Sequence, residues 1–157
     1  MKHIFPLFLA LFAPAIGLGQ YAISTTTLPI ATVNQPYSTV IQTNGNASVT
    51  ACTVVGGALP TGLGIQAVGS GCTISGTPNT AGSGAFALTV SNNQGQTTAS
   101  RVFSQAVFGI TTLSLPSGNP NVAYSVSLQA SGGGGSQQYQ WSLVAGSLPP
   151  EIGRAQV

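Results

Sequence analysis

The sequence repeats itself, and that limits what it can fold into more than any single residue does. Ile23-Ser-Thr-Thr-Thr-Leu28-Pro29 returns as Ile110-Thr-Thr-Leu-Ser-Leu115-Pro116, and Tyr37-Ser38 returns as Tyr124-Ser125, each at a spacing of 87. Past the run Gly132–Gly135 the spacing becomes 89, since Leu59-Pro60 returns as Leu148-Pro149. Two residues inserted in a surface connection explain the change, because lengthening a loop costs little closure entropy. A chain built this way reads as one module followed by the beginning of a second.

Within each copy the apolar period is two. Tyr37, Thr39, Ile41 and Thr43, then Thr50, Cys52 and Val54, supply it in the first copy. Tyr124, Val126, Leu128 and Ala130, then Tyr139, Trp141 and Leu143, supply it in the second, alternating with Ser and Gln. This is the pattern of half-buried strands. Phe86, Leu88 and Val90 mark a further strand, closed by Ser91-Asn-Asn-Gln-Gly95, a hairpin turn because Asn and Gly tolerate positive φ. A last strand, roughly Thr97 to Phe108, completes the unit. The stretch Cys52–Pro78 reads as two short strands joined by the corner Leu59-Pro60-Thr-Gly62-Leu63, with a cysteine in each strand. No window of a dozen residues has helical spacing. Short strands spaced by about 8–12 residues, with turn signals between them, predict an all-β sandwich.

The first 19 residues have a different character. Met1-Lys2-His3 is a basic start, Ile4 to Ile16 is an apolar run, and Gly17-Leu18-Gly19 offers small residues before Gln20. This is the three-part pattern of a secretory signal peptide over residues 1–19, with Ala15 as an alternative cut. A membrane anchor is disfavoured: about 13 apolar residues fall short of the ~20 that span a bilayer, and Pro6 and Pro14 interrupt them. No cysteine follows the run, so a lipid-modified N-terminus is not indicated.

Charge excludes more functions than it suggests. Only 3% of residues are charged, against roughly a quarter in ordinary soluble domains. Removal of residues 1–19 takes the only lysine and the only histidine, leaving Arg101, Glu151 and Arg154, with no aspartate anywhere. Nucleic acid asks for clustered Lys and Arg, so it is not an expected partner. Calcium at a module junction needs clustered carboxylates, and zinc needs His or extra Cys, so no metal or other cofactor is expected. General acid–base work falls mostly to His, Asp, Glu and Lys, and a serine nucleophile needs an activating base, so no catalytic residue is expected. The Gly132-Gly-Gly-Gly-Ser136 run lacks the lysine and helix of a phosphate loop and reads as a connection. Tyr37, Tyr124, Tyr139 and Trp141 all fall on core parity, with Tyr21 outside it; packing, not a sugar-stacking platform, is the expectation for them.

Leu59-Pro-Thr-Gly-Leu63, Ile74-Ser-Gly-Thr-Pro78-Asn-Thr-Ala-Gly82, Phe86-Ala-Leu-Thr-Val90 and Asn93-Gln-Gly95 together resemble the immunoglobulin-like, cadherin-like repeats of bacterial secreted and surface proteins. Asn121-Val-Ala-Tyr124-Ser and Tyr139-Gln-Trp141-Ser-Leu-Val-Ala-Gly-Ser-Leu-Pro149 carry the resemblance into the second copy. It implies an immunoglobulin-like β-sandwich repeat over residues 20–108 and an incomplete second repeat over 109–157. It is nearly silent on activity, since a fold does not carry a function. Cys52 stands in the slot that Trp141 fills in the second copy, Glu151 replaces an expected glycine, and Ile152–Val157 matches nothing. The second repeat is expected to stop short of its remaining strands, leaving Trp141 and Leu143 without an opposing sheet. Asn46-Ala-Ser48 fits the N-glycosylation pattern; in a chain resembling bacterial repeats it is read as chance.

Cys52 and Cys72 are the only cysteines, lie in one repeat and follow a secretory leader, a setting where disulfides persist. Cys52 is on the inward parity of its strand and Cys72 shares parity with Ile74. A disulfide is the expectation, a pair of buried free thiols the alternative. The expected function is a non-enzymatic extracellular spacer, adhesion or binding unit of a larger secreted or surface protein. A carbohydrate-binding accessory domain of a secreted hydrolase is the second reading. The partners expected are an unknown protein or polysaccharide, or neighbouring repeats of the same chain, with no membrane span after leader removal.

Overall fold

The computed structural model describes residues 20–133 and 139–149. The predicted leader at 1–19, and Glu151 and Arg154 near the other end, lie outside the described residues.

The alternating stretches of the first copy become strands, whereas the expected strands over residues 124–129 and 139–143 of the second do not form. The strands are β1 (Ala31–Thr32), β2 (Tyr37–Gln42), β3 (Val49–Gly57), β4 (Leu63–Val68), β5 (Gly71–Gly76), β6 (Gly82–Asn92), β7 (Arg101–Ile110) and β8 (Ala130–Ser131). They form two sheets, one ordered β1-β7-β6-β3 with β8 also on β7, the other β2-β5-β4. Every pairing is antiparallel except that of β1 with β7. The described residues contain no helix. The fold is all-β, an immunoglobulin-like sandwich.

Residues of one parity meet between the sheets. Phe86, Leu88 and Val90 of β6 and Phe103 of β7 face Ile41 of β2 and Cys72 and Ile74 of β5, all buried. Phe86 and Phe103 stack with ring centroids 5.7 Å apart. Each such side chain contributes about 1.5–3 kcal/mol through loss of water contact, which is why these strands keep strict alternation.

The corner after β3 does not lead directly to the Cys72 strand. β4 intervenes, pairing with β5 from Leu63↔Gly76 to Val68↔Gly71. Leu63 and Ile65 are half-buried on alternate positions, but Gly64, Gln66 and an exposed Ala67-Val68 end dilute the pattern. The corner closes by Leu63 N donating to Pro60 O at 3.1 Å, and Thr77 N donates to Gly62 O at 3.1 Å. The Leu59–Leu63 and Ile74–Pro78 motifs therefore meet backbone to backbone.

One inward position is polar. Gln105 of β7 is 0% exposed. Its Nε2 donates to Pro29 O at 2.9 Å and Ala106 O at 3.0 Å, and its Oε1 accepts from the Tyr37 hydroxyl at 3.1 Å. The Tyr37 hydroxyl also lies 3.0 Å from Pro29 O. A buried amide is tolerated because its hydrogen bonds are made, and this one joins the two sheets to the segment before β1. Burial raises the Tyr37 pKa above its ordinary 10.0, against the lowering effect of hydrogen bonds with Gln105 and Thr39. A raised folded-state pKa means that stability is fully present below the unfolded-state value and is lost as pH rises through the folded one. Unfolding midpoints are expected to fall above about pH 10, and less steeply in Tyr37→Phe, measured by urea titration across the alkaline range.

The aromatic residues divide differently from their sequence parity. Tyr21, placed outside the core pattern, is 7% exposed and packs with Ile23, whereas Tyr139 and Trp141 are each 37% exposed. Tyr21-Ala-Ile23 is itself an alternating pair, bridged to the β2 end through Ile23↔Thr43. Tyr139 packs on Phe108 with the rings tilted by 34° and centroids 5.7 Å apart; among the described residues no second sheet covers Trp141 or Leu143.

Several hydrogen bonds of the first copy nevertheless recur 87 residues later. Gln42 N donates to Thr25 Oγ1 at 2.8 Å, and Gln129 N donates to Thr112 Oγ1 at 2.8 Å. The hydroxyl of Tyr37 lies 3.0 Å from Pro29 O, as that of Tyr124 lies 2.8 Å from Pro116 O. Ser24 N reaches Gln42 O at 2.9 Å, as Thr111 N reaches Gln129 O at 2.9 Å. Asn34 and Asn121, in the equivalent turns, have φ of 58° and 59°.

Candidate functional site

The described groups best suited to chemistry are engaged in holding the fold. Arg101 Nη1 donates to Ile23 O at 3.2 Å, with its guanidinium carbon 6.0 Å from the centroid of the Phe103 ring. It ties the N-terminal segment to β7. Cys52 of β3 and Cys72 of β5 are joined as a disulfide, Cα atoms 6.0 Å apart, linking one sheet to the other. Cys72 is fully buried and Cys52 half-buried. Among the described residues no three His, Cys, Asp or Glu side chains gather as a metal site. No described helix is long and apolar enough to cross a membrane. The glycine run lies partly outside the described residues. The aromatic residues form no common platform, since Tyr21 and Tyr37 lie on the core and Tyr139 and Trp141 on the second copy.

A different feature was not singled out by the sequence. Two segments at one end of the sandwich, Asn44–Ser48 between β2 and β3 and Asn92–Gln96 at the end of β6, flank an open cleft of about 530 Å³ with Tyr21 on its wall. The loops are bound together by Asn93 N donating to Ser48 O at 2.9 Å. Each has one amide that shapes it. Asn44 Oδ1 accepts from Ala22 N at 2.8 Å while its Nδ2 donates to Gln20 O at 2.7 Å. Asn92 Oδ1 accepts from Gln94 N and Gln96 N, both at 3.0 Å, and its Nδ2 donates to Gln96 Oε1 at 2.8 Å. Asn92 thus makes a side-chain-stabilised turn of the kind Asn favours, while Asn44 tethers its loop to the N-terminal segment. Asn46, Asn93 and Gln94 are exposed, and their side-chain amides make no hydrogen bond among the described residues. Asn46 is also the asparagine of the glycosylation pattern.

The Tyr21 hydroxyl is buried and has no hydrogen-bond partner among the described residues. An unpaired buried hydroxyl costs about 1–3 kcal/mol. Tyr21→Phe is therefore expected to raise stability by about 1 kcal/mol, read as a higher urea midpoint with an unchanged slope. A lower midpoint would show that the hydroxyl is paired in solution. A second, smaller cleft of about 250 Å³ lies between Ala58–Thr61 and Thr80–Gly84 and carries no ionisable group.

Comparison with known proteins gives one family and several distant structures. The family model described as "Putative Ig domain" matches residues 20–108. No curated protein matches the chain. Among solved structures, the endo-fucoidan hydrolase MfFcnA4 of glycoside hydrolase family 107 is 21% identical over 59% of this chain and 14% of its own, with a TM-score of 0.44. The endo-fucoidan hydrolase MfFcnA9 of the same family is 25% identical over 61% of this chain and 17% of its own, with a TM-score of 0.41. A mutant of the SrpA adhesin from Streptococcus sanguinis is 11% identical over 67% of this chain and 66% of its own, with a TM-score of 0.39. This chain thus spans less than a fifth of the length of either hydrolase.

Proposed function

Since the chain belongs to this Ig-domain family through residues 20–108, we propose that it is a non-enzymatic extracellular module, a spacer, adhesion or binding unit of a larger secreted or surface protein. The observation that carries this reading is where its chemistry goes. Arg101 anchors the N-terminal segment, the two cysteines link the sheets, and Tyr37 joins Gln105 and Pro29. A disulfide suits an oxidising, extracytoplasmic compartment, to which residues 1–19 would direct the chain as a cleaved leader. An almost uncharged surface of Ser, Thr, Asn and Gln is hydrated but exerts little long-range field, as suits a rod of repeats.

Residues 109–157 form the start of a second repeat in this reading. The hydrogen bonds repeated at a spacing of 87 support it, and Gly57 and Gly146, 89 apart, share φ values of 68° and 77°. Its partner is then a neighbouring repeat, or an outside protein or polysaccharide. The amide-lined cleft favours a second reading, a carbohydrate-binding accessory domain. A pull-down of the exported protein on insoluble polysaccharides separates the two: retention on one polysaccharide selects the second, and uniform lack of retention leaves the spacer or protein-adhesion role. Turnover of any substrate that a point substitution abolishes would overturn the non-enzymatic reading.

A further inference from the structure

We propose that the cleft between the Asn44–Ser48 and Asn92–Gln96 loops binds a short stretch of a neutral oligosaccharide, with the amides of Asn46, Asn93 and Gln94 as its hydrogen-bonding groups. The proposal rests on the carbohydrate-binding reading and gives it a site. About 530 Å³ lies within the roughly 300–1,000 Å³ of small-ligand clefts. The chemistry of the rim is specific. A carboxamide presents two N–H donors and a carbonyl acceptor without charge, which matches sugar hydroxyls that both donate and accept.

The division of labour among the amides gives the site a built character. Asn44 and Asn92 are engaged with the backbone and fix the two loops. Asn46, Asn93 and Gln94 stand on those fixed loops with their amides free among the described residues. Loops held by a rigid sandwich are a common location for binding residues. Tyr21 is a second, independent sign. It is 7% exposed, lines the same cleft, and holds a hydroxyl without a partner. A buried polar group left unpaired calls for an explanation; with its oxygen shut off from solvent, a ligand hydroxyl would meet it only where the Gly45 backbone beside the ring shifts.

Charge narrows the ligand class. Among the described residues no Lys, Arg, His, Asp or Glu lines the cleft, and Arg101 is held against Ile23 and Phe103. A sulfate or uronate entering it would lose water without meeting a cation, which is costly. Neutral hexose or pentose chains carry no such penalty.

The test is a ¹H–¹⁵N NMR titration of the exported, oxidised protein. Neutral probes are cellohexaose, laminarihexaose, mannohexaose and xylohexaose, with an alginate oligomer as the charged comparator. At least one neutral probe is expected to shift the signals of Asn46, Asn93 and Gln94, including their side-chain NH₂ groups. The pair Asn46→Ala and Asn93→Ala, both exposed, is expected to weaken that binding roughly tenfold and leave the thermal midpoint unchanged. Shifts mapping to another surface would overturn the site and leave the carbohydrate-binding reading standing. No shift with any neutral probe at millimolar concentration would overturn both. Preference for the alginate oligomer would overturn the neutral assignment.

Discussion

Removing the Cys52–Cys72 bond is expected to lower the stability of the first module by about 3 kcal/mol, because a closed loop of this size restrains the unfolded chain by about that much. The two residues are 20 apart in sequence. In a module of under about 100 residues such a loss moves the thermal midpoint by roughly 12–24 °C. The bond matters beyond its loop, since it joins β3 of one sheet to β5 of the other, and Cys72 packs in the core beside Ile41 and Ile74. Its loss would leave the sandwich to hydrophobic contact across the sheets and to the Tyr37–Gln105 link. Thermal melts of the exported protein with and without reductant, and of the Cys52→Ala/Cys72→Ala pair, measure the effect. Intact-mass analysis without reductant should show two hydrogens fewer than the thiol form. Two free thiols in the exported protein would remove the premise, and a shift of only a degree or two would show that packing alone holds the sheets.

How far the sequence reveals this molecule depends on which residues face inward. β2, β6 and the core of β7 were legible because Ile41, Phe86, Leu88, Val90 and Phe103 are large, apolar and spaced by two. β4 was not, because Gly64, Gln66 and Ala67 break the contrast between its faces. Gln105 was hidden for another reason: an amide at an inward position reads as a surface residue until Pro29 and Tyr37 are brought to it by folding. Tyr21 sat outside the strand pattern, yet one bridge from Ile23 to Thr43 carries it into the core. The cleft was invisible for a topological reason. Its two loops are brought together by the β3–β6 pairing and the Asn93 N to Ser48 O bond, which no local spacing encodes.

The second large effect is expected at Gly76. Its φ is +142°, and a Cβ there would land on the carbonyl oxygen of Gly62; a Cβ at Gly62, where φ is +91°, would land on that of Thr77. Gly76 lacks a side chain where the Gly62 backbone passes, and Gly62 lacks one where the Thr77 backbone passes. Gly76→Ala meets both a positive φ, costing about 1–3 kcal/mol for a non-glycine residue, and a collision with main chain that cannot rotate away, costing about 1–3 kcal/mol more. A loss of about 3 kcal/mol or more is the expected outcome. Two neighbouring substitutions separate the causes. Gly69→Ala has a φ of +59° with nothing within 4 Å, so it carries the conformational cost alone. Gly64→Ala has no positive φ and its nearest atom is 4.0 Å away, so it should change stability by less than about 1 kcal/mol. Urea midpoints should therefore fall in the order Gly64→Ala, Gly69→Ala, Gly76→Ala. Equal losses at Gly69 and Gly76 would show that the main chains yield to each other. The predicted gap follows from what the two motifs are in space. Leu59–Leu63 turns the chain out of β3, Ile74–Pro78 ends β5, and Thr77 N on Gly62 O, Asn79 N on Thr61 O and Thr61 Oγ1 on Asn79 Oδ1 bind the two corners into one. A side chain at Gly76 would part them and loosen the β4–β5 hairpin that carries Cys72.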